Sequence, residues 1–179
     1  MAVALFPLWG AAFSFAAAAA LLWGAPVWVV LLTWVALASL EQRILRLSNA
    51  YLLGSALAAA GWWLAFPRLT TCGVFVTTFP AHAAARAALV ALAWVSRPAA
   101  RGLAISVTSK SALAAIGIGA SAALTLPDRR TAALIVGAYL IVRLVREWSY
   151  RTKGGVDDTS LALVKGLTEI AAVLIYTFL

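Results

Sequence analysis

The feature that most constrains this chain is a succession of apolar runs, each of about helix length, separated by short polar or turn-forming breaks. The first run, Val3–Leu22, closes at Gly24-Ala25-Pro26. The second, 27–40, ends at Glu41-Gln42-Arg43, and the third, 51–66, stops at Pro67-Arg68. A Thr-, Gly- and Pro-containing stretch follows at 69–80, and a fourth run at 81–95 is interrupted by Arg86. A basic loop at 96–110 leads to runs at 111–126 and 131–145, then a polar loop at 146–158 and a last run at 159–179. None has the period-two alternation of a barrel wall. A perpendicular crossing takes about 20 residues, and tilt or local thinning of the bilayer accommodates shorter helices. The pattern predicts an all-α, polytopic membrane helix bundle with six or seven transmembrane helices. There is no repeat or internal boundary, so 1–179 reads as a single domain.

Composition points the same way. The chain is 64% hydrophobic and 11% charged, against about 45–50% and about 25% in an ordinary soluble domain. The net charge of +8 falls mostly at run ends, which is the signature of topology and of contact with anionic lipid. No basic patch is interleaved with aromatics on a soluble surface, so no nucleic-acid partner is expected. With the N-terminus inside and seven crossings, one side receives nine cations: Arg43, Arg46, Arg97, Arg101, Lys110, Arg143, Arg146, Arg151 and Lys153. The other side receives Arg68, Arg129 and Arg130. This bias predicts a cytoplasmic N-terminus and an outer C-terminus, and it favours an odd span count. Trp9, Trp23, Trp28, Trp62, Trp63 and Trp148 lie near run ends, as interfacial anchors do. The N-terminus lacks a basic leader region, so the first run is expected to be a true span. The single cysteine, Cys72, allows no intrachain disulfide and reads as a packing residue.

The polar residues gather on the side predicted to be cytoplasmic. Gly154-Gly155-Val156-Asp157-Asp158-Thr159-Ser160 is the most distinctive run. Its acids could hold a cation, but the plainer reading is a helix start with Asp158 or Thr159 as N-cap. Lys165 and Glu169 lie four residues apart within the last run and share a face. Charge at membrane depth must face protein or water, and Arg86 is a further partner for Glu169. These three form a candidate intramembrane charge cluster, either a structural tie or a site wall. His82 has no Cys or acid at metal-ligand spacing. Ser106, Thr108, Ser109 and Lys110 suit either a phosphate cradle or a helix start capped by Ser109 or Ser111. Nucleotide-binding glycine motifs, zinc motifs and the nucleophile elbow are all absent.

Several segments, in order, resemble the cobalamin synthase family, the adenosylcobinamide-GDP ribazoletransferases. Phe6-Pro7-Leu8-Trp9-Gly10 resembles the family's FPLxG opening. Glu41-Gln42-Arg43-Ile44-Leu45, with Ser48 and Gly54, is similar to its RExxLEIMKDSrxG segment. Arg86 falls where the family has an arginine in a later helix. Ala100-Arg101-Gly102-Leu103 looks like a contracted ARxxGLG, and 151–169 resembles the closing R…GGxTGDTxGAxxExxE helix through Gly154, Gly155, Leu161 and Glu169. The resemblance implies a membrane helix bundle in a bacterial-type inner membrane, and a Mg²⁺-dependent transferase of cobalamin biosynthesis. The departures fall on the chemistry. The family's acidic HLDGLADTxDG stretch is missing before Glu41, its TGDT reads Asp157-Asp158-Thr159-Ser160, and Gly166 replaces one late glutamate.

Three readings follow. In the first, the chain is a non-catalytic relative that serves as a scaffold or subunit of a membrane complex with other membrane proteins. In the second, it is a diverged transferase in which Asp157, Asp158 and Glu41 hold Mg²⁺ and Arg101 and Lys110 meet a pyrophosphate. In the third, it is an unrelated small transporter component whose path is lined by Lys165 and Glu169. No catalytic residue is assigned.

Overall fold

Apolar helices can pack closely only where their contacting side chains are small. In this computed structural model, which describes residues 2–45, 49–65, 71–99, 106–126 and 128–179, that rule puts α4 (Thr71–Val95) at the centre. Ala81, Ala83, Ala84, Ala85, Ala87, Ala88 and Ala93 are all buried along it. A 3-10 helix (Ala2–Leu8), α1 (Trp9–Leu22), α5 (Ser109–Ala123), α6 (Asp128–Lys153) and α7 (Asp158–Phe178) pack against it. The remaining helices, α2 (Val27–Leu45) and α3 (Ala50–Ala65), close the bundle over α1 and α7. No strand occurs among the described residues, only an isolated bridge between Pro98 and Val156.

Several boundaries differ from those expected. The stretch at 69–80 is not a break: α4 begins at Thr71 and runs through Pro80. In apolar surroundings the backbone has no partner except its own ladder, so a proline forgoes one bond while the helix continues. α2 runs past Glu41 to Leu45 because that carboxylate is neutralised inside the bundle. α6 starts three residues before 131 and runs eight past 145, its C-terminal extension supported by a Glu147–Arg151 pair at 2.8 Å and by cations in its last turn. The expected polar loop at 146–158 therefore shrinks to four residues.

The caps also sit one residue from where they were expected. Asp157, not Asp158 or Thr159, caps α7, accepting from the Ser160 amide at 2.9 Å and the Ser160 hydroxyl at 2.7 Å. Thr108 caps α5 in a reciprocal box with Ser111. At the α6–α7 corner Gly154 takes φ +70°. Beside it, Val156 donates to the Arg97 carbonyl at 2.9 Å and accepts from the Ala99 amide at 2.8 Å. A Cβ on Gly155 would lie 2.8 Å from the Ala99 nitrogen, so only glycine permits this contact between the two connections.

The exterior is oily. Trp23 is 88% exposed and Phe178 78%, while Arg86 and Glu41 are buried. An apolar outside around a charged inside is compatible with a membrane protein. Three helical segments are long and apolar enough to cross a bilayer, Val3–Leu22, Phe75–Val95 and Asp158–Phe178. α3 and α5 are shorter, at 16 and 15 residues, and α6 carries charge at both ends. Of the expected anchors, Trp9, Trp23, Trp28 and Trp148 are exposed. Trp62 is instead fully buried, edge-on to Trp34 with ring centroids 6.3 Å apart. The Trp63 and Cys72 side chains, with Arg46, Arg68 and Arg101, lie outside the described residues.

The α7 cap is testable. Partial burial raises the Asp157 carboxyl, but hydrogen bonds from Lys153 and Ser160 outweigh it and hold the group below its ordinary value. A depressed carboxyl stabilises at pH values above its unfolded value and loses that contribution as pH falls through the folded one. Asp157→Ala is expected to cost about 1 kcal/mol at pH 7. The difference from the parent should close on acidification below the ordinary carboxylate range of about 3.9, as read by thermal unfolding in detergent.

Candidate functional site

Two carboxylates and two cations meet in the bundle interior. Arg86 donates from Nε to Glu41 Oε1 at 2.7 Å and from Nη2 to Glu41 Oε2 at 2.8 Å. This two-pronged pairing joins α4 to α2, and it satisfies both carboxylate oxygens with one planar fork. The third guanidinium nitrogen, Nη1, donates to the His82 carbonyl at 3.2 Å and lies 3.7 Å from Glu169. Lys165 lies one helical turn before Glu169 on α7 and meets its carboxylate at 3.1 Å. Its ammonium also donates to Ser55 Oγ at 2.7 Å, and Ser55 in turn donates to the Tyr51 carbonyl at 2.9 Å.

His82 completes the cluster. Its Nδ1 lies 2.9 Å from Glu169 Oε1. An ionised carboxylate only accepts, so Nδ1 carries the proton. In the neutral ring Nε2 is then an acceptor, and it is buried with no hydrogen-bond partner. Aromatic rings wall the charges off. The Arg86 guanidinium carbon sits 4.5 Å from the Phe13 ring centroid and Lys165 Nζ 4.6 Å from that of Tyr51, within cation–π range. Trp34 stands edge-on to His82 at 4.7 Å and donates through Nε1 to the Phe13 carbonyl at 2.8 Å. With His82 neutral, Glu41, Glu169, Arg86 and Lys165 sum to zero charge. The cavity beside them, lined by Ser55, His82, Lys165 and Glu169 among others, is only about 10 Å³, the room of one water.

The structure thus brings together Arg86, Lys165 and Glu169, as the sequence suggested, and adds Glu41 and His82. Glu41 reads from sequence as a surface carboxylate ending a run; in the fold it is 3% exposed and locked to Arg86. A signal for it was present. Two cations in apolar runs against one carboxylate leave an unpaired charge, which is costly at membrane depth. Glu41 is the acid that directly adjoins another apolar run.

The carboxylates considered for Mg²⁺ do not come together. Among the described residues no group of three or more His, Cys, Asp or Glu side chains could hold a metal ion. Glu41 spends both oxygens on Arg86. Asp157 is spent on Ser160 and on Lys153, whose Nζ lies 2.8 Å from Oδ2. Asp158 is half-buried in the first turn of α7. Glu41 and Asp157 thus commit their oxygens to cations and to a helix cap rather than leaving them free for Mg²⁺. Of the phosphate pair, Lys110 is exposed in the first turn of α5 and Arg101 lies outside the described residues.

The position of Gly166 bears on the same point. A Cβ there would lie 3.1 Å from the Gly54 Cα, because α3 and α7 cross at these two glycines. A side chain at 166 would require α3 to give by a few tenths of an ångström. No family model, curated protein or solved structure matches the chain.

Removing one side of the Arg86–Glu41 pair leaves a buried uncompensated charge. Arg86→Leu is expected to destabilise the bundle by about 3–5 kcal/mol, whereas Arg86→Leu with Glu41→Leu should cost markedly less. Denaturant unfolding of the purified protein in detergent compares the two.

Proposed function

We propose that the chain is a non-catalytic relative of the cobalamin synthase family that serves as a scaffold or subunit of a complex in a bacterial-type inner membrane. The observation that carries this reading is the state of its acids. Glu41 and Glu169 are neutralised by buried cations, and Asp157 is used as a helix cap. Phosphoryl chemistry of the synthase type relies on a divalent cation to offset charge on phosphate, and among the described residues no group of three or more His, Cys, Asp or Glu side chains is arranged for one. The cavity at the cluster, about 10 Å³, is far below the ~300–1,000 Å³ of an ordinary ligand pocket. Gly166, which meets Gly54 at the close α3–α7 approach, stands where the family carries a glutamate.

In this reading all seven helices cross the bilayer, with the N-terminus in the cytoplasm. The bridge between Pro98 and Val156 supports that topology. It joins the α4–α5 and α6–α7 connections at one end of the bundle, and Arg97, Arg143, Arg146, Arg151 and Lys153 belong to these connections or the helix end beside them.

Complementation tests the reading. A strain lacking its own cobalamin synthase, supplied with cobinamide and lower-ligand base, should not regain cobalamin when it expresses and inserts this protein. Rescue that is abolished by Asp157→Ala with Asp158→Ala would instead establish a working transferase with a relocated acidic site.

A further inference from the structure

α5 and α6 both pack on α4 but barely touch each other, and the space between them is an apolar groove. Its floor is made of α4 alanines, including Ala87 and Ala91, and its walls include Ile116 on α5 and Ala138 on α6. Its volume is about 260 Å³. Ala91, Tyr139 and Val142 are shared with a second cleft of about 600 Å³, which continues along α6 to Arg143, Arg146, Glu147 and Tyr150. The groove is thus oily over most of its length and basic at one mouth.

The charge at that mouth is available. Arg143 is exposed, with no acidic partner among the described residues. Arg146 lies 5.3 Å from the Tyr150 ring centroid. Glu147 does not neutralise them, because Arg151 holds it at 2.8 Å. A guanidinium pair next to an apolar slot is complementary to a molecule with a phosphate at one end and a hydrocarbon chain at the other. Charge separates this from a partner helix: with Arg143 and Arg146 at the mouth of an otherwise apolar slot, the cleft suits an anionic head joined to an apolar tail better than a wholly apolar helix face.

We infer that this composite cleft is a binding site for an anionic phospholipid. One acyl chain lies on the α4 alanines between α5 and α6, and the headgroup phosphate meets Arg143 and Arg146. The inference is independent of whether the chain is catalytic.

The test uses delipidated full-length protein in neutral detergent, titrated with dioleoyl phosphatidylglycerol or dioleoyl phosphatidylcholine while thermal unfolding is followed. The phosphatidylglycerol should raise the midpoint at lower concentration than phosphatidylcholine, and each of Arg143→Gln and Arg146→Gln should weaken that preference roughly fivefold. Arg143→Lys and Arg146→Lys should retain part of it. Ala91→Leu, which narrows the junction of groove and cleft, should lower the response to both lipids with the arginines intact. Arg129→Gln, at the opposite end of α6, should change nothing. Equal stabilisation by the two lipids, or a preference that survives both glutamine variants, would overturn the assignment. So would an equal effect of glycerol phosphate without acyl chains, which would mark a free phosphate site. A protein subunit bound across α5 and α6 in place of lipid would overturn it as well.

Discussion

The bundle depends on the pairing of Arg86 with Glu41. An arginine in the middle of a helix that other helices surround has no water to solvate it, and only a carboxylate with both oxygens presented can replace that hydration. Once Glu41 fills this role, α2 has to run past the end of its apolar run so that the Glu41 side chain can reach Arg86 on α4. The second pair follows from the first. Glu169 is close enough to Arg86 to feel it at 3.7 Å, and Lys165 and His82 then settle around Glu169. Four helices, α2, α3, α4 and α7, contribute polar groups to one closed set of contacts, and Phe13 of α1 and Phe6 of the 3-10 helix add rings against Arg86 beside those of Trp34 and Tyr51.

The interior is therefore polar where the exterior is not, and the alanines of α4 make that possible. Small residues let α1, at Gly10, and α5, at Gly119, approach the central helix closely, leaving no room there for a Cβ. Gly54 against Gly166 repeats the device between α3 and α7. Attraction between such helices comes from close packing and from polar ties, because an oily surface gains nothing by leaving an oily solvent.

Much of this was legible in the sequence. The apolar runs announce helices, and Lys165 with Glu169 at four-residue spacing announces a shared face. Arg86 announces a need for a counter-charge. What the sequence did not yield was the geometry of long-range neutralisation. Glu41 looks like an ordinary polar stop until Arg86 is seen beside it, forty-five positions away. His82 looks isolated because its partner lies on α7. Pro80 suggests a break because proline rules are learned from helices with water nearby, whereas α4 has only its own ladder to satisfy. The α6 end was underestimated because hydropathy falls before the helix does: Glu147 with Arg151 and the last-turn cations keep it wound after the apolar run has ended.

The balanced sum of the buried charges has an electrical meaning. A bilayer that carries a potential acts on an elementary charge with about 2.3 kcal/mol per 100 mV across its full thickness. Two cations and two carboxylates held within a few ångströms of one another present that field with almost nothing to pull on. Were the bundle to lie in such a bilayer, a change of potential would exert little net force on this core.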